Sequence, residues 1–447
     1  MAKTIAKTKT SKRSAKAPGR PKIVARGSLL KAVLPNGLTV ILKENHNAPI
    51  ATFWCWYRVG SRQEKVGFTG ISHWVEHMLF KGTPNFPGRS ADQAISREGG
   101  VWNGMTYLDF TTYFETLPIE KFDLALALEA DRMVNAQFRR SEVESERTVI
   151  ISEKQGGENN PNQLLGEEVQ AAAFKVHGYG HETIGHLCDL QSMSRDDLYA
   201  RYRTYYTPRQ AVVVAVGAFK AKDALEQINR AFGAIDPGPA LPKPTAVEPE
   251  QRGERRVTVE GPGTTAYIEL SYHSPVATDP DFTALVALDA ILAGASSLSA
   301  FGGGTTNNSS RLYKALVDTE LAADVSGSLI PTADPYLYSL HATVRSNHTP
   351  AEVEAAFDQE IDRIAGEPVK PEELAKAIKQ AKAMFAFGSE SVTNQGFWYG
   401  WSEVFADYTW FENYLDRLSA VTIEDVQRVA QKYLRRSNRT VGYYLPK

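Results

Sequence analysis

Residues 73 to 77 read HWVEH, inside the run FTGISHWVEHMLFKGT. On a helix, positions i, i+3 and i+4 share a face, so His73, Glu76 and His77 project together. Two imidazoles one turn apart can chelate a single divalent ion, and imidazole suits zinc. A catalytic zinc site usually takes three protein ligands and keeps a position for water, so a third ligand must come from elsewhere in the chain. The carboxylate between the histidines is the candidate base for that water. HxxEH is the inverse of the HExxH zinc signature. Taken alone, it leaves open a second reading, a satisfied polar cluster on an ordinary helix. Further along, ESERTVIISEK supplies Glu146 and Glu153. A spacing of seven is two helical turns, so both carboxylates lie on one face.

The elements that must position these groups belong to a chain of 447 residues, 43% hydrophobic and 23% charged. At roughly 100–200 residues per domain, that length allows two to four domains with a sizeable core. A formal net charge of −2 argues against nucleic acid as a partner of the whole molecule. No apolar run reaches the ~18 residues of a membrane helix. Cys55 and Cys188 are far apart in sequence and read as two buried thiols, not a disulfide framework. Residues 1–26 carry nine Lys or Arg and no acid. With no apolar core segment this is not a secretory signal. It reads as a solvated, disordered tail over residues 1–27. An organelle transit peptide is the alternative, which the excess of lysine over arginine fits less well.

LPNGLTV reads as strand, Asn-Gly turn and strand, and ATFWCWYRVGS as an aromatic, β-branched strand. GGVWNGMTYLDFTTYFETLP alternates and reads as a strand pair, whereas KFDLALALEADRMVNA and SEVESERTVIISEKQ have helical spacing. Residues 236–252 are rich in proline, poor in large apolar side chains, and read as a linker.

The sequence then repeats itself. SMSRDDLYARYRTYYTPRQAVVVAVG, from Ser192, matches AVTIEDVQRVAQKYLRRSNRTVGYYL, from Ala420, at an offset of 228. FTGISHWVEHML matches FTALVALDAILA at an offset of 214. The chain is therefore expected to hold two homologous halves, residues 28–235 and 253–447. Each is an α+β sandwich with helices packed on one side of a sheet. The repeat is also an internal control. Ala287, Ala290 and Ile291 stand where the first half has His73, Glu76 and His77. The helix does not need polar groups there, which weakens the structural reading of HWVEH.

FTGISHWVEHMLFKGT followed by ERTVIISE resembles the inverzincin peptidases of the M16 (pitrilysin) family. LPNGLTVILKEN, WYRVGSRQE, WNGMTYLDFTTYFETLP, YGHETIG and NRTVGYYLP extend the resemblance from about residue 28 to 447. It is strongest to the processing-peptidase-like subfamily and its small bacterial members. The resemblance implies the LuxS/MPP-like metallohydrolase fold and one zinc ion per chain. It implies His73, His77 and Glu153 as metal ligands and Glu76 as the general base that activates water. It implies Glu146 as a carboxylate orienting a ligand histidine. Asn103 falls at the Asn of the substrate-facing edge strand, where a peptide would add by β-augmentation. Gly104 stands where the family usually has Ala.

One departure sets a further expectation. Members with a complete site carry an Arg and a Tyr seven residues apart, shortly after SSRL. Here those positions are Val317 and Asp324, and Arg311 within SSRL matches only a structural arginine. An oxyanion donor is typically worth about 10²–10³ in rate. A zinc-carrying chain without the pair is expected to be a weak endopeptidase alone, acting on unfolded peptides with a homologous partner that supplies Arg and Tyr. The implied arrangement is a bacterial, cytoplasmic heterodimer. Two alternatives stay open: a non-catalytic, core-type structural subunit, and the catalytic subunit of a mitochondrial processing peptidase in the matrix. The Gly-rich run 301–310 reads as a loop, and the aromatic cluster 397–411 as helix and domain-contact packing.

Overall fold

The computed structural model of the chain describes residues 21–241, 245–299 and 308–447. The first half runs β1 (Lys22–Arg26), β2 (Leu29–Val33), β3 (Thr39–Glu44), β4 (Ile50–Tyr57), α1 (Ile71–Leu79), α2 (Ser90–Arg97), β5 (Val101–Thr106) and β6 (Thr111–Pro118). It continues with α3 (Phe122–Asn135), α4 (Arg140–Gly157), α5 (Pro161–Ala173), α6 (Leu187–Ser192), α7 (Arg195–Tyr205), β7 (Ala211–Gly217) and α8 (Ala221–Phe232). The second half runs β8 (Arg255–Gly261), β9 (Tyr267–His273), α9 (Pro280–Leu292), β10 (Ala322–Leu329), β11 (Leu337–Val344), α10 (Pro350–Gly366) and α11 (Pro371–Phe387). It ends with α12 (Val392–Phe405), α13 (Thr409–Glu412), α14 (Tyr414–Ser419), α15 (Ile423–Tyr433) and β12 (Arg439–Pro446).

Two sheets form, one per half, with orders β1-β2-β3-β7-β4-β6-β5 and β10-β11-β9-β12-β8. Read from β3 in one and β8 in the other, five strands follow in the same order. The parallel pair β3–β7 is matched by the parallel pair β8–β12, and the remaining neighbours are antiparallel. The duplicated helices carry the same start signal. Ser194 and Asp197 form a capping box on α7, and Thr422 and Asp425 form one on α15. Each satisfies orphan N–H groups of the first turn from both directions.

Two expectations are corrected. The basic tail does not extend to residue 27, because Lys22–Arg26 pairs antiparallel with Leu29–Val33. All five of its side chains are exposed. The strand is held by backbone bonds to a sheet edge, which composition does not reveal. Residues 1–20 of that tail lie outside the described residues, as do 301–307 of the Gly-rich run. The two thiols are not both buried: Cys55 is, whereas Cys188 on α6 is exposed.

The first sheet is apolar on both faces. Along β4 and β7, Phe53, Cys55, Tyr57, Val213 and Ala215 face the core under the first half's own helices. Trp54, Trp56, Val212, Val214 and Val216 point the other way, into the core of the second half. This explains why AVVVAVG is an unbroken apolar run and not an alternating one. The expectation of helices on one side only describes each half's own helices. The opposite face of the first sheet is covered by α12, which packs on β4 and β7. Its counterpart in the first half, α5, packs on β8, β9 and β12 of the second sheet. The halves exchange equivalent helices.

Glycines let α12 lie close. A Cβ on Gly396 would stand 2.5 Å from Trp54 Cδ1, and one on Gly400 only 2.0 Å from Trp56 Nε1. Phe397 packs against both indoles at 5.7 and 5.4 Å. The last part of the expected linker is tied down, whereas its residues 242–244 lie outside the described residues: Glu248 accepts the backbone N–H groups of Lys175, Val176 and His177 at 2.8, 3.0 and 3.1 Å.

Gly400→Ala pushes a methyl into the Trp56 indole and is expected to cost about 1–3 kcal/mol, the scale of core overpacking. Because α12 belongs to one half and its seat to the other, calorimetry should show a lower Tm in a single transition, not loss of one half alone.

Candidate active site

Helix α1 is anchored before its first turn. Gly70 takes the left-handed conformation at its N-terminus, with φ 84°. The two oxygens of Glu64 accept the N–H groups of Gly70 and Ser72, each at 2.8 Å. Those groups have no partner inside the helix, so a carboxylate there both caps it and meets the positive end of its dipole. Thr69 donates its N–H and hydroxyl to Asp189 at 2.9 and 2.7 Å. Trp74, Val75, Met78 and Leu79 enter the core. The opposite face presents His73, Glu76 and His77 toward α4 and β5.

The imidazoles converge. Nε2 of His73 and Nε2 of His77 are 3.2 Å apart. Glu153, on α4, reaches within 3.9 Å of the first and 3.6 Å of the second. One ligand atom from each of the three residues fits within 4.8 Å of the others. Glu146, two turns earlier on α4, accepts the Nδ1–H of His77 at 2.9 Å. That bond places the proton on Nδ1 and leaves the Nε2 lone pair free to bind metal. Lys81 pairs with the other oxygen of Glu146.

These residues fit a zinc ion. Two nitrogens bound at about 2.05 Å in a tetrahedral array stand about 3.3 Å apart. The donor set, two imidazoles and one carboxylate, is that of an open zinc site. His73 Nδ1 is buried with no hydrogen-bond partner among the described residues. Burial drops the His73 pKa to about 3, with the neighbouring His77 adding to the shift. The ring is therefore neutral and able to act as a ligand. Burial disfavours charge on His77 also, but the Glu146 hydrogen bond and nearby carboxylates outweigh it and raise its pKa.

Glu76 is buried against the same site, at 7% exposure. Burial pushes its carboxyl up to about 7, against the lowering influence of His77 and of the Thr106 hydroxyl. Thr106, the last residue of β5, donates to Glu76 Oε2 at 2.9 Å. A carboxyl poised near 7 can both take and return a proton. Behind it lies Arg132, paired with Glu129 at 2.7 Å and flanked by the Phe80, Trp102 and Tyr113 rings.

Asn103 lies on β5, the outer strand of its sheet, with its side chain exposed. The Gly104 Cβ position is 2.8 Å from Tyr113 and 2.9 Å from Phe80, so a methyl group there would need both rings to shift. A cavity of about 510 Å³ opens over His73 and Glu153, walled by Thr106, Gln170, Glu182 and, from the second half, Tyr336. In that half Val317 is half-buried against the core, and Asp324 is exposed on the outer strand β10. Arg311 is held by Glu373 through two 2.8 Å hydrogen bonds.

Sequence reasoning missed Glu64, Thr106, Asp189 and Tyr336. Their roles depend on segments that meet only in the fold. Only Glu64, an acid shortly before a predicted helix, carried a usable local signal.

Residues 39–186 match the family model described as insulinase, peptidase family M16, and residues 192–381 the one described as peptidase M16 inactive domain. The chain belongs to peptidase family M16. It is 27% identical over 414 residues to a protein named probable mitochondrial-processing peptidase subunit beta from Arabidopsis thaliana, covering 90% of this chain and 75% of that one. It is 27% identical over 425 residues to zinc protease PqqE of Helicobacter pylori, covering 92% of each. The crystal structure of a protease from Helicobacter pylori superposes with a TM-score of 0.87 at 26% identity, over 95% of this chain and all of that one.

Glu146→Gln keeps the shape of the His77 partner and removes its charge. Zinc affinity, measured by competition with a chromophoric chelator, should weaken about 10- to 100-fold, with the fold retained by circular dichroism.

Proposed function

We propose that the chain is the zinc-carrying subunit of an endopeptidase that hydrolyses peptide bonds in unfolded peptides. The convergence of His73, His77 and Glu153, with Glu76 buried beside them, carries this reading. The three would hold the ion, with Glu146 orienting His77. Zinc held there would supply Lewis acidity, polarising a carbonyl and lowering the pKa of water to about 7. Glu76 accepts the proton of the attacking water on its carboxylate and passes it to the departing amine. Thr106 keeps the Glu76 carboxylate aimed at that water through its hydroxyl. An extended peptide pairs its backbone with the free edge of β5, beside Asn103, which presents its scissile bond to the site independently of most side chains.

The second half offers no donor at Val317 or Asp324, and Asp324 carries the wrong charge for a developing oxyanion. The partner is a homologous subunit without HxxEH that supplies an Arg and a Tyr. Two observations favour a second reading, catalytic subunit of a mitochondrial processing peptidase: the likeness to the Arabidopsis protein named probable mitochondrial-processing peptidase subunit beta, and the basic, acid-free residues 1–26. Among the described residues, no helix is long and apolar enough to cross a membrane.

Glu76→Gln should bind zinc with the same stoichiometry but lower kcat/KM for an unstructured fluorogenic peptide by at least about 10²-fold. In the native chain the base form of Glu76 is lost as pH falls, so kcat/KM should rise with pH on the acid side. Its limb should lie at or below the value of about 7 that burial sets, since a bound dication favours the ionised carboxylate. A metal-free native chain rejects the reading in favour of a structural subunit, and activity insensitive to Glu76→Gln rejects Glu76 as its base.

Hydrolysis by the zinc-loaded chain alone should be weak. It should rise by about 10²–10³ when an Arg/Tyr-bearing homologue is added. Full activity of the isolated chain would rule out the division of labour.

A further inference from the structure

We propose that Tyr336 is the substrate-binding residue that the second half contributes to this site: its phenol hydrogen-bonds a backbone carbonyl of a peptide laid along β5. The proposal rests on the peptidase reading above and names a group not contained in it.

Tyr336 is the one second-half residue among the described walls of the cavity over His73 and Glu153. Its ring cannot swing away. It stacks on Phe174 at 5.9 Å and 14°, and meets the edge of Tyr179 at 5.2 Å. The charged and phenolic groups around its hydroxyl are Tyr107, Glu269 and Glu182, and Tyr107 and Glu182 are themselves cavity walls. Burial holds the phenol well above its usual pKa, so it keeps its proton and remains a donor.

The loop that carries Tyr336 is clamped to the first half by charge. Arg62 binds Asp109 at 2.9 Å and Asp334 at 2.6 Å. Asp109 accepts the Tyr179 hydroxyl at 2.7 Å and the Ala333 N–H at 2.9 Å. His177 meets Asp334 at 3.2 Å. Buried ions are costly unless every lone pair and proton is matched, and such networks are better at specifying geometry than at adding stability. This one joins the first half to the segment just before Tyr336. A rigid donor in the cavity is what peptide positioning requires, because hydrogen bonding to a substrate is lost when its donor is loosely held. It also answers the absence of a donor at Val317 and Asp324.

Tyr336→Phe keeps the ring and removes only the hydroxyl. The full zinc-loaded chain is used, with the homologous partner where needed. In the Glu76→Gln background, binding of a fluorescein-labelled extended peptide, read by anisotropy, should weaken about 5- to 10-fold, the scale of one neutral hydrogen bond. In the native background kcat/KM should fall by at least as much, with zinc stoichiometry and Tm unchanged. Tyr336→Phe within about twofold of its parent in both readouts overturns the proposal. So does a pair in which Tyr336→Ala lowers Tm and binding whereas Tyr336→Phe changes neither, since that assigns the ring to packing alone. Peptide binding without any hydrolysis by the native complex refutes the peptidase reading and leaves Tyr336 judged by the binding ratio. A complex that binds no peptide overturns both.

Discussion

A sheet that is apolar on both faces has to be covered on both, and here the second cover for the first sheet comes from the other half of the chain. Trp54 and Trp56 point away from their own helices and seat against Gly396, Phe397 and Gly400 of α12. The second sheet receives α5 in return. Exposing either seat would return several large apolar side chains to water, at about 1.5–3 kcal/mol for each. The two halves are therefore one folding and mechanical unit.

The site inherits its precision from that frame. His73, Glu76 and His77 are set by a single helix, but a helix fixes only their relative azimuth. Their approach to Glu146 and Glu153 depends on how α1 lies against α4, where Arg147 of α4 packs over the Trp74 ring, while Glu64, Thr69 and Asp189 fix the N-terminus of α1. α5, which follows α4 after a short turn, is the helix exchanged onto the second sheet. The exchange thus holds the end of α4 that carries Glu153.

Duplication and specialisation are visible side by side. α1 and α9 occupy equivalent places, yet every residue of α9 from Asp281 to Leu292 is buried, whereas α1 leaves His73 and His77 only partly buried, His73 at the wall of a cavity. A helix buried all round can be largely apolar, and the two buried acids of α9 are partnered, Asp281 by Tyr433 and Asp289 by Tyr338. One that borders a cavity can afford polar groups, since each finds a partner: Glu76 in Thr106, His77 in Glu146. The second half has the same scaffold with apolar side chains, Ala287, Ala290 and Ile291, at the three positions.

Much was legible from local pattern. The i, i+3, i+4 spacing put His73, Glu76 and His77 on one face, and the structure has them there. The strand pair around Asn103, the helix carrying Glu146 and Glu153, and the duplicated helix-turn-strand units follow periodicities that are themselves local. Other features were not legible. Lys22–Arg26 is a strand only because an edge was waiting for its backbone. Cys188 is exposed because α6 turns it outward. FWYGWSEVF announces packing but carries no address, since an aromatic face is complementary to any apolar surface and not to one in particular. By itself the sequence determined which side chains share a helix face or a strand face, because those periods are properties of the backbone. Only the tertiary structure decided that α4 crosses α1 at ligand distance, that α5 and α12 change places, and that Tyr336 enters the cavity. Those outcomes depend on which distant surfaces exclude water together, and that is a property of the whole chain.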